Sequence, residues 1–556
     1  MIEIHKLVIL VGSVLLLPVL GCGADDEMGD SGNWNQGHPD GGTVADGGHW
    51  ECFSANDCPP GEYCNEFHRC VPIQTDPDGG TVEPPEVEEE FTPPASGHRY
   101  VYVALTEGDV VARIDSESLD VKTILVGSRP SILRTAPGKD LAVVVNSGSD
   151  SISILRTVDG EDVITTLATP PHYNRLVIGP FGEYAIAYFE MDQPDMEGIG
   201  SFQDVSLIKL AQGQEAVFNI SVGFRPREVV FSPNGSDAYI ITEDGISIID
   251  LFSMDAGVVA PTIPVSFDPY GEGIPSEVVV GPDGIYAFAR WEGEAMVRTV
   301  ELESGDMVDT PLSAPPTDID LSKDGAHFVA VSRETSEVAV MKVPEGVGDA
   351  SALMRVDCSP GIVGSSIILP GGKEALAFTN AYNEKSIHLI NLMTGEKRSA
   401  LLRKGIRTLA VSPDGDTALV LHNKIPGDPQ PEDDFDTQLD KRFGFSLIML
   451  ETLFSKLQIT EVDPGDFAYL PDSEAAYVIL ADPGVSLRSI LELNLNNFIV
   501  YEYNVSSHPD ELGVVPGTDR VYVSQDHPMG RISFINVENG ELRTVTGFQL
   551  NSQIIE

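Results

Sequence analysis

The sequence predicts an all-β protein whose bulk, residues 98–556, is a β-propeller of four-stranded blades. Three observations carry this. A turn followed by an apolar-rich strand recurs nine times, as in Ser232-Pro233-Asn234-Gly235, Gly281-Pro282-Asp283-Gly284 and Ser412-Pro413-Asp414-Gly415. The copies lie roughly 41–58 residues apart, close to the period of a propeller blade. A second strand then ends in a further turn, as in Ile387-His388-Leu389-Ile390-Asn391 before Gly395 and Ile532-Ser533-Phe534-Ile535-Asn536 before Gly540. Pro presets one turn position and Gly or Asn takes the positive φ, so each copy reads as a hairpin with a mechanism.

Taken from the start, residues 1–21 read as an export signal: Lys6, an apolar run from Leu7 to Leu17, then small residues before a cleavage point. The stretch 7–21 is shorter than the ~20 residues of a membrane-spanning helix. Val19-Leu20-Gly21-Cys22 resembles the lipobox of bacterial lipoproteins. That resemblance implies cleavage before Cys22, lipidation of Cys22, and membrane attachment through this lipid anchor alone. Gly23, rather than Asp, follows, which favours the outer membrane and a periplasmic or cell-surface location. The alternative is an ordinary secretory signal.

Residues 22–50 are rich in Gly, Asp and Asn, with almost no aliphatic side chains. Such a stretch buries too little apolar area to offset its conformational entropy and reads as a flexible tether. Residues 51–72 hold Cys52, Cys58, Cys64 and Cys70, with five residues between neighbours. In an exported protein these predict two disulfides, with three connectivities open. A zinc knuckle using His68 is the less favoured alternative, because zinc sites prefer closely paired cysteines. The segment resembles the short Cys-rich modules of secreted proteins, including the N-terminal cysteine region of the Dickkopf family; no function is carried over from it. Residues 73–97, with Glu83-Pro84-Pro85-Glu86 and Glu88-Glu89-Glu90, read as an extended acidic linker.

From residue 98 the nine turn copies, plus a first unit at 99–126, make about ten repeat units. The first unit has three strands and nothing before them to serve as an inner strand. The segment from Gly547 to Ile555 is expected to supply it, closing the ring and hiding both open edges. Ten blades would exceed the usual four to eight; a degenerate unit or two smaller rings would also account for the count. The units resemble the YVTN family of propeller repeats of bacterial and archaeal surface proteins. The residues that carry this are Gly127-Ser128-Arg129-Pro130, the Pro-Asp-Gly turns and Tyr100-Val101-Tyr102-Val103. Such repeats occur in binding proteins, lactonases and redox enzymes, so the resemblance implies a fold and leaves the activity open.

Composition narrows the function. The chain has 34 Lys+Arg against 86 Asp+Glu, a formal charge of −52, which repels nucleic acid and anionic lipid surfaces. No Cys-x-x-Cys-His, Gly-x-Ser-x-Gly or His-Glu-x-x-His sequence occurs, only Trp291 lies in the repeat region, and no cofactor or catalytic residue is predicted. Cys358 is expected to be a buried small hydrophobe. The leading reading is a membrane-anchored binding or scaffold protein whose partner is an unidentified protein or small molecule. The alternative is a lactonase-like or other small-molecule hydrolase working at the central face.

Two candidate features remain. Insertions at 191–203 and 428–442 interrupt units; the acidic run Glu432-Asp433-Asp434 in the second admits Ca²⁺, but it lacks EF-hand spacing and reads first as a solvated loop. Aligning the units also places Arg129, His172, Arg225, Arg407 and His508 near one entrance position. Carboxylates follow prolines by two residues at Glu228, Glu277, Asp318, Asp466 and Glu511. Inner strands line a propeller's channel, so these positions form a charged ring. It either staples neighbouring blades or holds a ligand, an anion through Arg or a cation through the carboxylates.

Overall fold

The computed structural model describes residues 95–548 except 159, 193–197, 253–259, 269–271, 382, 483 and 485, and the backbone of Glu62–Cys64, Cys70–Pro72 and Ile554–Ile555. Cys22, Cys52 and Cys58 lie outside the described residues. Glu62–Cys64 and Cys70–Pro72 form a small antiparallel pair with Cys64 opposite Cys70.

The chain is a ten-bladed β-propeller. Blade 1 has the strands Tyr100–Leu105, Val110–Asp115 and Val121–Leu125. Blades 2 to 10 are antiparallel meanders in chain order, with inner strands beginning at Pro130, Arg175, Pro226, Glu277, Asp318, Ser365, Ile406, Pro464 and His508. Because strands alternate in direction, one face carries the blade-to-blade connections and the loops from second to third strand. The opposite face carries the hairpin turns.

The recurring turn sits between first and second strands of each blade. In blades 2 to 9 its first residue donates back across the hairpin, as Ser412 N–H does to the Thr417 carbonyl at 2.9 Å. The left-handed position is glycine from blade 2 to blade 8, for example Gly415 at φ 81°, and Ser473 at φ 60° in blade 9. The Asp or Asn before it is also used. Asp414 accepts the Asp416 N–H at 3.0 Å and the Ser412 hydroxyl at 2.6 Å, and Asp324 does the same with Ala326 and Ser322. This is why turns of the Ser-Pro-Asp-Gly kind recur: the Ser and Asp side chains make hydrogen bonds at the reversal, Pro presets φ and Gly takes the positive φ.

Each pair of neighbouring blades shares an apolar core, and there are ten such seams. Phe288 of blade 5 stacks on Phe328 of blade 6 with ring centroids 4.5 Å apart. Val331, Cys358 and Ala377 pack between blades 6 and 7, where burial pushes the Cys358 thiol up to about 11. Fully burying each large side chain contributes about 1.5–3 kcal/mol, so cohesion is distributed around the ring. The tenth seam joins blade 10 to blade 1 through Ile114, Leu119, Tyr522 and Phe534. One closed ring of ten follows, not two smaller ones.

Closure differs from expectation. The C-terminal strand Ile554–Ile555 adds to Leu542–Thr546, the outer edge of blade 10, and not to the inner edge of blade 1. That inner place is taken by residues 95–97: Ser96 bridges to Val101, Gly97 N–H donates to the Tyr100 carbonyl at 2.8 Å, and Tyr102 N–H to the Ala95 carbonyl at 3.0 Å. Ser96 Oγ then reaches the Val514 carbonyl of blade 10 at 2.8 Å. The physical reason is proximity. A local hairpin closes a far shorter loop than a return from the ring's outer rim to its axis.

Candidate functional site

Arg129, His172 and Arg225 occupy the same place in blades 2, 3 and 4, just before the inner strand, and all three are left-handed at φ 53°, 64° and 53°. At a non-glycine residue this conformation is uncommon and needs its surroundings to hold it. Asp109 accepts the Arg129 N–H at 2.8 Å. His172 faces Gly198, where a Cβ would come within 2.4 Å of the ring. His508 begins the inner strand of blade 10, with Nδ1 3.7 Å from Asp510. Arg407 falls two residues deeper, on the β-bulge after Ile406, so its counterpart is Arg227 on the bulge after Pro226 rather than Arg225.

These deeper arginines reach across the seams. Arg227 Nη1 donates to the Pro275 carbonyl at 3.4 Å, Arg290 Nη1 to Pro316 at 3.3 Å and Arg407 Nη2 to Pro464 at 2.7 Å. Each acceptor is the proline that precedes a carboxylate at the head of the next blade. Those carboxylates are engaged in turn. Glu277 pairs with Arg290 at 2.5 Å. Asp318 accepts the Ser366 N–H of blade 7 at 2.7 Å, and Asp466 accepts the Leu512 N–H of blade 10 at 3.0 Å. Burial raises the pKa of Asp466. Glu228 is half-buried beside its bulge and Glu511 is exposed.

The densest charged group lies between blades 3 and 4. Arg225 binds Asp192 at 2.9 Å and Glu243 at 2.5 Å, and Arg175 pairs with Glu190. Glu190 is 3% exposed, and burial raises the pKa of both Glu190 and Glu243. Phe189, Phe202 and Phe224 run outward beside them, with successive ring centroids 6.0 Å apart. Carboxylates with raised pKa beside arginines at a channel mouth are what binding sites are built from, and also what seams are built from.

Sequence reasoning missed a buried polar column in the third strands. Ser153, Ser206, Ser247, His388 and Ser533 face polar partners on the fourth strands, Thr166, Asn219, Thr262, Ser399 and Thr544, at 2.7–3.0 Å. Arg298 takes this place in blade 5, binding Asp309 at 2.7 Å and Glu272 at 2.6 Å, with Phe267 and Trp291 on its guanidinium. The visible signal was a polar residue between aliphatic ones, as in Ile532-Ser533-Phe534.

The insertion at 423–442 is anchored from beneath. It contains the short helix Phe435–Asp440, capped by Asp434, which accepts the Thr437 N–H at 2.8 Å. Lys404, fully buried, donates to the Leu439 and Asp440 carbonyls at 2.7 and 3.2 Å, and Lys385 pairs with Asp440 at 2.8 Å. Burial pulls the Lys404 ammonium down to about 8. Asp433, in the acidic run that reads first as a solvated loop, is paired with Lys441 at 2.8 Å. Among the described residues, no three His, Cys, Asp or Glu side chains converge as a metal site. In the first insertion, Asp195 and Glu197 lie outside the described residues.

No family model matches the chain, and no curated protein matches it. Solved structures do. The chain is similar to a crystal structure of the eukaryotic initiation factor, at 12% identity and TM-score 0.48, over 73% of this chain and 96% of that one. It is similar to the hydrazine synthase of Kuenenia stuttgartiensis at 15% identity and TM-score 0.31, over 58% of this chain and 95% of that one. It is also similar to the dihydro-heme d1 dehydrogenase NirN in complex with DHE, at 14% identity and TM-score 0.41, over 75% and 74%. Similarity at this level is one of architecture and says nothing of activity.

Proposed function

We propose that this protein is an exported, lipid-anchored binding or scaffold module, built from YVTN-type repeats and held at the outer membrane through Cys22. In this reading residues 23–50 and 73–97 give the propeller reach, and the loop face recognises a protein or small-molecule partner. The observation that supports it is how the inner-strand charges are spent. Arg407, Asp318 and Asp466 hold neighbouring blades together, whereas the insertion at 423–442 is fastened by Lys404 and Lys385 beneath it and presented on the loop face. Groups committed to seams are poor candidates for acid–base work, and a built loop on a rigid ring is a usual place for recognition.

Two measurements test this. Cys22→Ser should move the protein from the membrane fraction to the soluble one. Photo-crosslinkers placed at Gln430 and Ile199 on the loop face should capture a surface partner that crosslinkers at Glu345 and Asp349 on the turn face do not. Retention of the Cys22→Ser variant, or capture only from the turn face, would sink the reading. So would lactone hydrolysis by the purified propeller that disappears when Arg129 and Arg225 are both replaced by Gln.

A further inference from the structure

Blades 1 and 10 meet at the seam that no chain connection crosses, and on the turn face this seam opens into a small cleft. Leu119 of blade 1 and Phe534 of blade 10 wall it with apolar surface and belong to the seam core beneath. Strand register decides what else faces it. Arg520 is opposite Asn536, and Arg543 is opposite Phe534. Residues 534 and 536 share a sheet face, so both arginines and Asn536 stand on the side of blade 10 that packs on blade 1, and all three line the cavity.

In a chain with 86 acidic and 34 basic residues, many arginines of the ring are matched to carboxylates, among them Arg113, Arg175, Arg225, Arg290, Arg298 and Arg355. Arg520 and Arg543 are not. Arg520 donates only to the carbonyl of its neighbour Asp519, at 2.9 Å. Arg543 has no ion pair or side-chain hydrogen bond among the described residues. Both are half-buried. The Asn536 carbonyl oxygen is used by the Glu538 and Asn539 N–H groups, which leaves its amide nitrogen as a third donor. Guanidinium groups are donors only, and two of them beside an amide match the oxygens of one anion. Glu117 and Glu541 also line the cavity. They set an upper limit on charge and size, because a polyanion would meet both carboxylates.

We propose that this seam cavity binds one small oxyanion, a carboxylate of an organic acid or a sulfate or phosphate ion, through Arg520, Arg543 and Asn536. Because its walls come from the first and the last blade, the bound anion clips the ring at the one junction whose two blades are not linked by a chain connection. Binding is therefore linked to the stability of the closed ring.

The test is thermal unfolding of the full chain in sodium sulfate, sodium phosphate and sodium succinate, each against sodium chloride at matched ionic strength. Calorimetric titration of the same anions gives stoichiometry. A saturable rise in Tm with one site per chain is expected. Arg543→Gln should abolish it, and Arg543→Lys, which keeps the charge but not the fork, should weaken binding at least tenfold. Selectivity for succinate identifies an organic acid, and selectivity for sulfate or phosphate an inorganic ion. An anion response of equal size in wild type, Arg543→Gln and Arg520→Gln would be a general salt effect and would overturn the proposal. So would the absence of any response in the wild type.

Discussion

Lowering the pH from 7 to 5 should cost the ring about 2 kcal/mol at one residue, His422. The imidazole is 1% exposed at the loop-face end of the second strand of blade 8. Its Nδ1–H donates to the Gly405 carbonyl at 3.0 Å, and its Nε2 accepts from the Ser446 hydroxyl at 2.7 Å. Both bonds suit the neutral ring, and burial holds the pKa down at about 4 against an ordinary 6.5. The unfolded chain therefore takes up a proton between pH 6.5 and 4 that the folded chain refuses. This stability is present above 6.5 and is lost progressively as pH falls toward 4. With those two values, protonation of the unfolded state at pH 5 amounts to about 2 kcal/mol, rising to about 3 kcal/mol below pH 4.

The perturbation is His422→Gln, which keeps a donor and an acceptor but does not titrate. Urea unfolding followed by circular dichroism, for wild type and variant at pH 7 and pH 5, isolates the residue as a difference of differences. The cost of substitution and the titration of every other group cancel. The wild type should lose about 2 kcal/mol more than His422→Gln on acidification. Equal losses would refute the reasoning, since they would mean that His422 is protonated or hydrated in the folded ring.

Asp318→Ala should destabilise the seam between blades 6 and 7 by about 1–3 kcal/mol, because the buried Ser366 N–H loses its acceptor; a melting curve unchanged within error would remove the staple assignment. Lys404→Met should leave the ring's melting close to wild type but speed hydrogen exchange across 423–442, whose helix carbonyls lose their cap; uniform exchange rates in that loop would contradict this. Removing residues 549–556 should change Tm little, since they extend only an outer edge, whereas Ser96→Pro, at the inner bridge of blade 1, should lower Tm and promote aggregation. The opposite ranking would restore closure by the C-terminus.

The architecture was legible because a turn is a local object. Ser412 to Gly415 carries in four residues the hydrogen bonds and the positive φ that the reversal requires, so nine copies announce nine hairpins wherever they sit. The blade count followed. What the charges do was not legible, because it depends on register between blades that lie 46–48 residues apart. Arg225 and Arg407 both sit at the head of an inner strand. Arg407 lies two positions further along its strand than Arg225 does, so that it donates to the Pro464 carbonyl, while Arg225 turns to Asp192 and Glu243.

The closing strand failed for a related reason. From sequence, the missing inner strand of blade 1 and the surplus residues after blade 10 look like complementary halves. In space the surplus begins at the ring's outer rim, after Leu542–Thr546, and the deficit lies at its axis. Residues 95–97 are already beside it, and three residues suffice because Leu133, Val144 and Tyr102 fill the seam behind them. That short patch also leaves blades 1 and 10 joined by side-chain packing and isolated hydrogen bonds such as Ser96 to Val514. Every seam of the ring lacks a strand ladder, but at this one the two blades also lack a chain connection. The seam where Arg520 and Arg543 lie is therefore the place where a bound anion changes the stability of the ring most.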